Sequence, residues 1–247
     1  MLDGVQGKIA RRSTVRVAIG SLIAAALVFC AWPNGPVREA AHAYRTSFVC
    51  WEPSAKPDQV RTVALGDSIT AGEHRDMLLA NSSTSYFDVA TCDRDSPIGF
   101  AANAGVWQNT TAQMLERLDS DVVSRSPELV LVLGGTNDIR LGQGDRTVEN
   151  LAAIRQRLDA EGIAAMFALV PPSDEFPAET DALNDAIAAW AAAEDVPLLD
   201  FHSPLADADG TYREGQSIDG IHPSEAAAGV LAAVAESAVR GGPLHSP

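Results

Sequence analysis

The stretch Val60-Arg61-Thr62-Val63-Ala64-Leu65-Gly66-Asp67-Ser68-Ile69-Thr70 joins a short apolar run to a glycine turn and a serine. A run of this kind, brief and nearly continuous, fits a strand buried on both faces of a parallel sheet. Working outward, similar runs recur at Leu129–Leu133, Ala165–Val170 and Val196–Phe201. Helical patterns lie between and after them. Thr110-Thr111-Ala112-Gln113 reads as a capping box, with Met114, Leu115 and Leu118 on one face behind it. Leu151, Ile154 and Leu158 form a second stripe that Gly162 stops, and Leu183, Ile187 and Trp190 a third. Ser224 caps a last helix carrying Val230, Leu231 and Val234. Strands alternating with helices predict βαβ units joined by right-handed crossovers. Residues Arg75–Ile98 are less regular, and one short strand is expected near Tyr86–Ala90.

The composition supports one sizeable core. Of 247 residues, 46% are hydrophobic, which excludes a disordered chain, and a mean hydropathy near zero excludes a polytopic membrane protein. The net charge of -15 offers no electrostatic footprint for nucleic acid. The first 43 residues stand apart. Arg11, Arg12 and Arg16 precede an apolar run from Val17 to Trp32, and Ala41-His42-Ala43 follows it, the ingredients of an export signal. An uncleaved signal anchor is the alternative, and membrane contact is expected only through this segment if it stays uncleaved. Cleavage would leave a mature N-terminus near Tyr44. The expected organisation is an export segment at 1–43, an extension at 44–59, a folded domain at 60–240 and a tail at 241–247. The segment carries a net +3, so the remainder carries -18 and only two cysteines, Cys50 and Cys92. In an exported chain these are most simply one disulfide, with two buried thiols as the alternative.

The chemistry is expected at strand ends. Ser68, just past the first strand, is placed as an exposed nucleophile; the bland alternative is a helix-capping serine. No Gly-x-Ser-x-Gly elbow, His-Glu-x-x-His pair or phosphate-binding loop occurs in the chain. A serine needs a base and the base an orienter. His222, in Asp219-Gly220-Ile221-His222-Pro223, has a carboxylate three residues back that can fold onto one imidazole nitrogen. His202, beside Asp200, is the weaker candidate. Oxyanion donors are expected from Asn137, after the turn Gly134-Gly135, and from the N–H of Gly105, although ordinary turn chemistry also accounts for either alone.

Together these four blocks resemble the SGNH/GDSL hydrolases, a family of serine esterases and lipases. Gly66-Asp67-Ser68-Ile69 matches the first block, with isoleucine where leucine is usual. Gly105 matches the second, Gly135-Thr136-Asn137-Asp138 the third and Asp219-x-x-His222-Pro223 the last. The resemblance spans about residues 60–240. It implies a three-layer α/β/α sandwich around a five-stranded parallel sheet, the flavodoxin-like SGNH hydrolase fold. It implies Ser68 as nucleophile, His222 as base and then acid, Asp219 as orienter, and an oxyanion hole of Ser68, Gly105 and Asn137. No cofactor or metal is called for. Asp67 and Asp138 are expected to be turn and hydrogen-bonding residues. The substrate is expected to be a small-molecule ester, a lipid or an O-acylated glycan, with no nucleic-acid partner. Trp107 is expected to line the acyl or sugar site, or else to pack in the core or loop. The loops at Arg75–Ser85 and Pro171–Thr180 are expected to shape the pocket. A secreted or cell-surface enzyme follows, and the competing function is a catalytically silent carbohydrate- or lipid-binding module on the same fold.

Overall fold

The structure, a computed structural model, describes residues 56–72, 84–93 and 95–242, all within the unit Ser47–Pro247. Five parallel strands form its sheet: β1 (Val60–Gly66), β2 (Ile98–Gly105), β3 (Leu129–Leu133), β4 (Ala164–Ala168) and β5 (Leu198–Leu199). Their spatial order is β2-β1-β3-β4-β5, every neighbouring pair parallel. This is the flavodoxin-like doubly wound order, in which ligands bind beyond the carboxyl ends of the strands near the point where the order reverses. Here that point lies between β1 and β3.

Side-chain alternation on the strands makes two cores. Leu129, Leu131 and Leu133 of β3, with Ala64 of β1, pack on one face under α2 (Tyr86–Cys92) and α8 (Glu225–Gly241). Val130 and Val132, with Val63 and Leu65, pack on the other under α6 (Thr147–Ala160) and α7 (Pro177–Ala193). Every residue of β3 is buried, which explains why a continuous apolar run rather than an alternating one marks it. The remaining helices are short: α1 (Ser68–Ala71), α3 (Thr111–Glu116), α4 (Leu118–Asp121) and α5 (Thr136–Arg140). The capping box at Thr110 and Gln113 is present, Ser224 caps α8, and Leu151, Ile154 and Leu158 are the buried stripe of α6.

Four features differ from the expectations. Tyr86–Ala90 is helical, not extended; Ser85 accepts from the Asp88 N–H and starts α2, whose Tyr86 and Phe87 are fully buried. An edge strand exists at Ile98–Gly105, where three alanines, an asparagine and two glycines give little β-propensity. On α8 the apolar face is Leu231, Ala235 and Val239, while Val230 faces solvent. The sheet also ends sooner than predicted at β4, because the Asn184 side chain takes both backbone groups of Val170, at 2.7 and 2.9 Å. Among the described residues no helix is long and apolar enough to cross a membrane. The export segment and Cys50 lie outside the described residues.

Candidate active site

β1 delivers the nucleophile turn. Asp67 caps α1, its Oδ1 accepting the Ile69 N–H at 2.9 Å, and Ser68 is the first residue of that helix. The Ser68 N–H therefore has no acceptor within the helix. The backbone of α1 lies so close to β2 that a Cβ on Gly105 would stand 2.2 Å from the Ala71 nitrogen. Glycine at 105 is thus required by the seating of the nucleophile helix.

The candidate base, His222, sits on the loop before α8. Asp219 Oδ2 lies 2.7 Å from His222 Nδ1, and His222 Nε2 lies 2.9 Å from Ser68 Oγ. An ionised carboxylate only accepts, so Nδ1 carries the proton, Nε2 presents its lone pair and the serine hydroxyl donates to it. Asp219 Oδ1 also accepts the N–H groups of Ile221 and His222, at 3.0 and 2.8 Å. Partial burial alone would raise the Asp219 carboxyl, but these donors and the imidazole hold it below the usual carboxylate range. The loop itself is pinned from several sides. Ser217 Oγ donates to the His222 carbonyl at 2.7 Å, Tyr212 Oη to the Ile221 carbonyl at 3.0 Å, and the Asp174 N–H to the Gly220 carbonyl at 2.8 Å. Gly220 has φ +84°, and a Cβ there would sit 2.9 Å from that of Asp174. The expected role of the Pro171–Thr180 loop is thereby made specific at Asp174. The predicted loop Arg75–Ser85 is described only at its last two residues.

β3 delivers the third block. Asn137 Nδ2 donates to the Asn109 carbonyl at 3.1 Å and, more weakly, to Asp67 Oδ2 at 3.4 Å. Its amide is therefore fixed between the nucleophile turn and the turn after β2. The Gly105 N–H donates to Asn103 Oδ1 at 3.0 Å, so an incoming oxyanion must share that donor or displace the asparagine. Asp67 and Asp138 are buried structural carboxyls. Desolvation pushes Asp67 up to about 6, against the opposing pull of the Ile69 N–H and His222. Asp138 accepts both the N–H and the hydroxyl of Thr111, the latter at 2.5 Å, and so ties α5 to α3.

Trp107 is 42% exposed, and its ring centroid lies 5.8 Å from that of His222 at 31°. It belongs to the mouth of the site, not to the core. His202 does not join the site: its Nε2 lies 3.2 Å from Asp181 Oδ1, without the alignment of a hydrogen bond. Among the described residues no group of three or more His, Cys, Asp or Glu side chains is arranged to hold a metal ion.

Several residues that shape the site carry no motif. Arg117 donates to Asn109 Oδ1 at 2.7 Å and to the Gly66 carbonyl at 2.9 Å, linking two turns distant in sequence. Asn109, Asn103, Asp174, Tyr212 and Ser217 act in the same way. Ser217, two residues before Asp219, and Asn103, two residues before Gly105, lie near enough to a motif to be suspected from sequence.

The profile of the GDSL-like lipase/acylhydrolase family matches residues 64–230, and the chain belongs to this family. Among solved structures it is similar to a G-D-S-L-family protein from Desulfitobacterium hafniense, at 24% identity over 73% of this chain and 99% of that one, TM-score 0.63. A lipase/acylhydrolase from Enterococcus faecalis shares 23% identity over 74% and 96% of the two chains, TM-score 0.59. A Geobacillus acetyl-xylooligosaccharide esterase shares 17% over 79% and 100%, TM-score 0.60. These likenesses establish the five-stranded α/β/α hydrolase fold. No curated protein matches the chain by sequence.

Proposed function

We propose that the protein is an exported serine esterase that hydrolyses carboxylic esters through an acyl-enzyme on Ser68. The observation that carries this is the chain of contacts from Asp219 through His222 to Ser68 Oγ, at 2.7 and 2.9 Å, beside the Asn137 amide. In the first half-reaction Ser68 Oγ attacks the ester carbonyl and its proton passes to His222 Nε2. The oxyanion meets the Ser68 N–H, the Asn137 amide once its weaker contact to Asp67 gives way, and the Gly105 N–H once Asn103 yields it. Collapse breaks the bond to the alcohol oxygen, which takes the proton from Nε2. Water then attacks the acyl carbonyl, gives a proton to Nε2, and the ester bond to Ser68 breaks; the carboxylic acid leaves and the proton returns to Oγ.

The test is hydrolysis of p-nitrophenyl acetate by the purified protein and by Ser68→Ala. The wild type is expected to turn over and the variant to lose at least about 10⁴-fold in kcat, with its melting temperature retained. Equal rates in the two proteins overturn the proposal.

Export and the Cys50–Cys92 bridge belong to the same proposal. The basic and apolar pattern before Ala41-His42-Ala43 supports export, and Cys92 being disulfide-bonded supports the bridge. N-terminal sequencing of the released protein is expected to start near Tyr44, and both thiols to resist alkylation until reduced. Recovery of only full-length, membrane-bound chain would mean a signal anchor.

A further inference from the structure

The turn that follows β2 is built to hold one exposed side chain. The Asn109 N–H closes it on the Val106 carbonyl at 3.2 Å, and Gln108 sits at φ +62°, a backbone region that L side chains rarely adopt. Such a conformation persists where its surroundings enforce it. Here Asn109 does so from both ends of its side chain and backbone. Its carbonyl accepts from Asn137 at 3.1 Å and its Oδ1 from Arg117 at 2.7 Å. The turn is therefore fixed to the oxyanion asparagine and, through Arg117 and the Gly66 carbonyl, to the nucleophile strand. At its tip stands Trp107, 42% exposed, its ring centroid 5.8 Å from that of His222.

That contact determines which part of an ester Trp107 meets. His222 Nε2 must reach Ser68 Oγ and then the leaving oxygen, so the alcohol part departs past the imidazole. The acyl chain, the remaining substituent on the carbonyl carbon, points away from it. A group stacked on the His222 ring thus borders the alcohol part. We propose that Trp107 determines specificity for that part by taking the apolar face of a sugar ring, so that the substrate is an O-acylated glycan. This rests on the esterase proposal above. A quaternary ammonium alcohol would call for a cage of several aromatics, whereas Trp107 is the one exposed aromatic among the described residues. Its half-exposed indole suits a flat, neutral ring.

The experiment compares kcat/KM for an acetylated methyl xyloside and for ethyl acetate, with acetylcholine as a third ester, in the wild type, Trp107→Ala and Trp107→Phe. The expected result is a wild-type preference for the sugar ester that falls about tenfold in Trp107→Ala, chiefly through KM, and partly returns in Trp107→Phe. A Trp107 that merely packs on His222 slows all three esters alike and leaves the ratio unmoved, which overturns the inference. A preference for acetylcholine that depends on Trp107 overturns it in favour of a cationic alcohol. Failure of the esterase proposal reads differently: no ester is then hydrolysed in a Ser68-dependent way by the wild type.

Discussion

The two halves of the site are held by different physics. The nucleophile half is an extension of the core. Ser68 follows a wholly buried strand end, Asp67 is buried beside it, and α1 lies so close to β2 that only glycine fits at 105. The base half is a surface loop. The Asp219 side chain is 49% exposed, and the loop keeps its shape through hydrogen bonds from Ser217, Tyr212 and Asp174. Packing fixes the group whose position must not change. Hydrogen bonds hold the group that must pass a proton in two directions. Substitutions that disturb the packing of the first half, unlike removal of the Ser68 hydroxyl alone, should therefore damage folding and activity together, and those in the second activity alone.

His222→Ala should cut kcat by about 10⁴-fold or more with little change in melting temperature, because the imidazole belongs to neither hydrophobic core and triad members act as a unit. Asn137→Ala should cost about 10²–10³-fold in kcat, as loss of one oxyanion donor does; steady-state kinetics on one ester measures both. Gly105→Ala should break the comparison from the other side. Its new Cβ meets backbone, which cannot move aside as a flexible side chain would, so the fold should lose about 1–3 kcal/mol or more, read by thermal or urea unfolding, and activity should fall with it. An unchanged melting temperature in Gly105→Ala would show that α1 is not seated by packing.

The last effect, on stability alone, concerns the buried carboxyl of the nucleophile half. Asp67 titrates at about 6 in the folded protein against 3.8 for an ordinary aspartate, so between those values the folded state holds a proton that the unfolded state has lost. Its contribution to stability is full below 3.8 and is lost as pH rises to about 6. The size is of order 3 kcal/mol. The unfolding free energy of Asp67→Asn, relative to wild type, should rise by that amount across this window. A difference independent of pH would show that Asp67 is solvated.

What was legible in the sequence follows the same division. β1 and β3 announced themselves because strands buried on both faces are nearly continuous apolar runs, broken in β1 only by Arg61 and Thr62, and Ser68, Asn137, Asp219 and His222 because each stands in a short motif at an element's end. Asp219 and His222 are three residues apart, so their pairing is local. β2 was missed because its small, polar residues at the sheet edge follow no periodicity. α2 was misread because Tyr86, Phe87 and Val89 suit a strand as well as a helix, and the decisive Ser85 cap is a single contact. Arg117, Asn109, Tyr212 and Asp174 were invisible because their partners are distant in sequence or bonded through backbone carbonyls. The open position of Trp107 against His222 is likewise a product of the fold.

The central claim is that Ser68 is the group that becomes acylated. A fluorophosphonate probe tests it directly, since Oγ displaces fluoride and leaves a stable phosphorus adduct that intact-mass and peptide mass spectrometry locate. The account predicts one adduct per chain, on the peptide containing Ser68, absent in Ser68→Ala and strongly slowed in His222→Ala. An adduct on any other residue, or none in the folded wild-type protein, would contradict it.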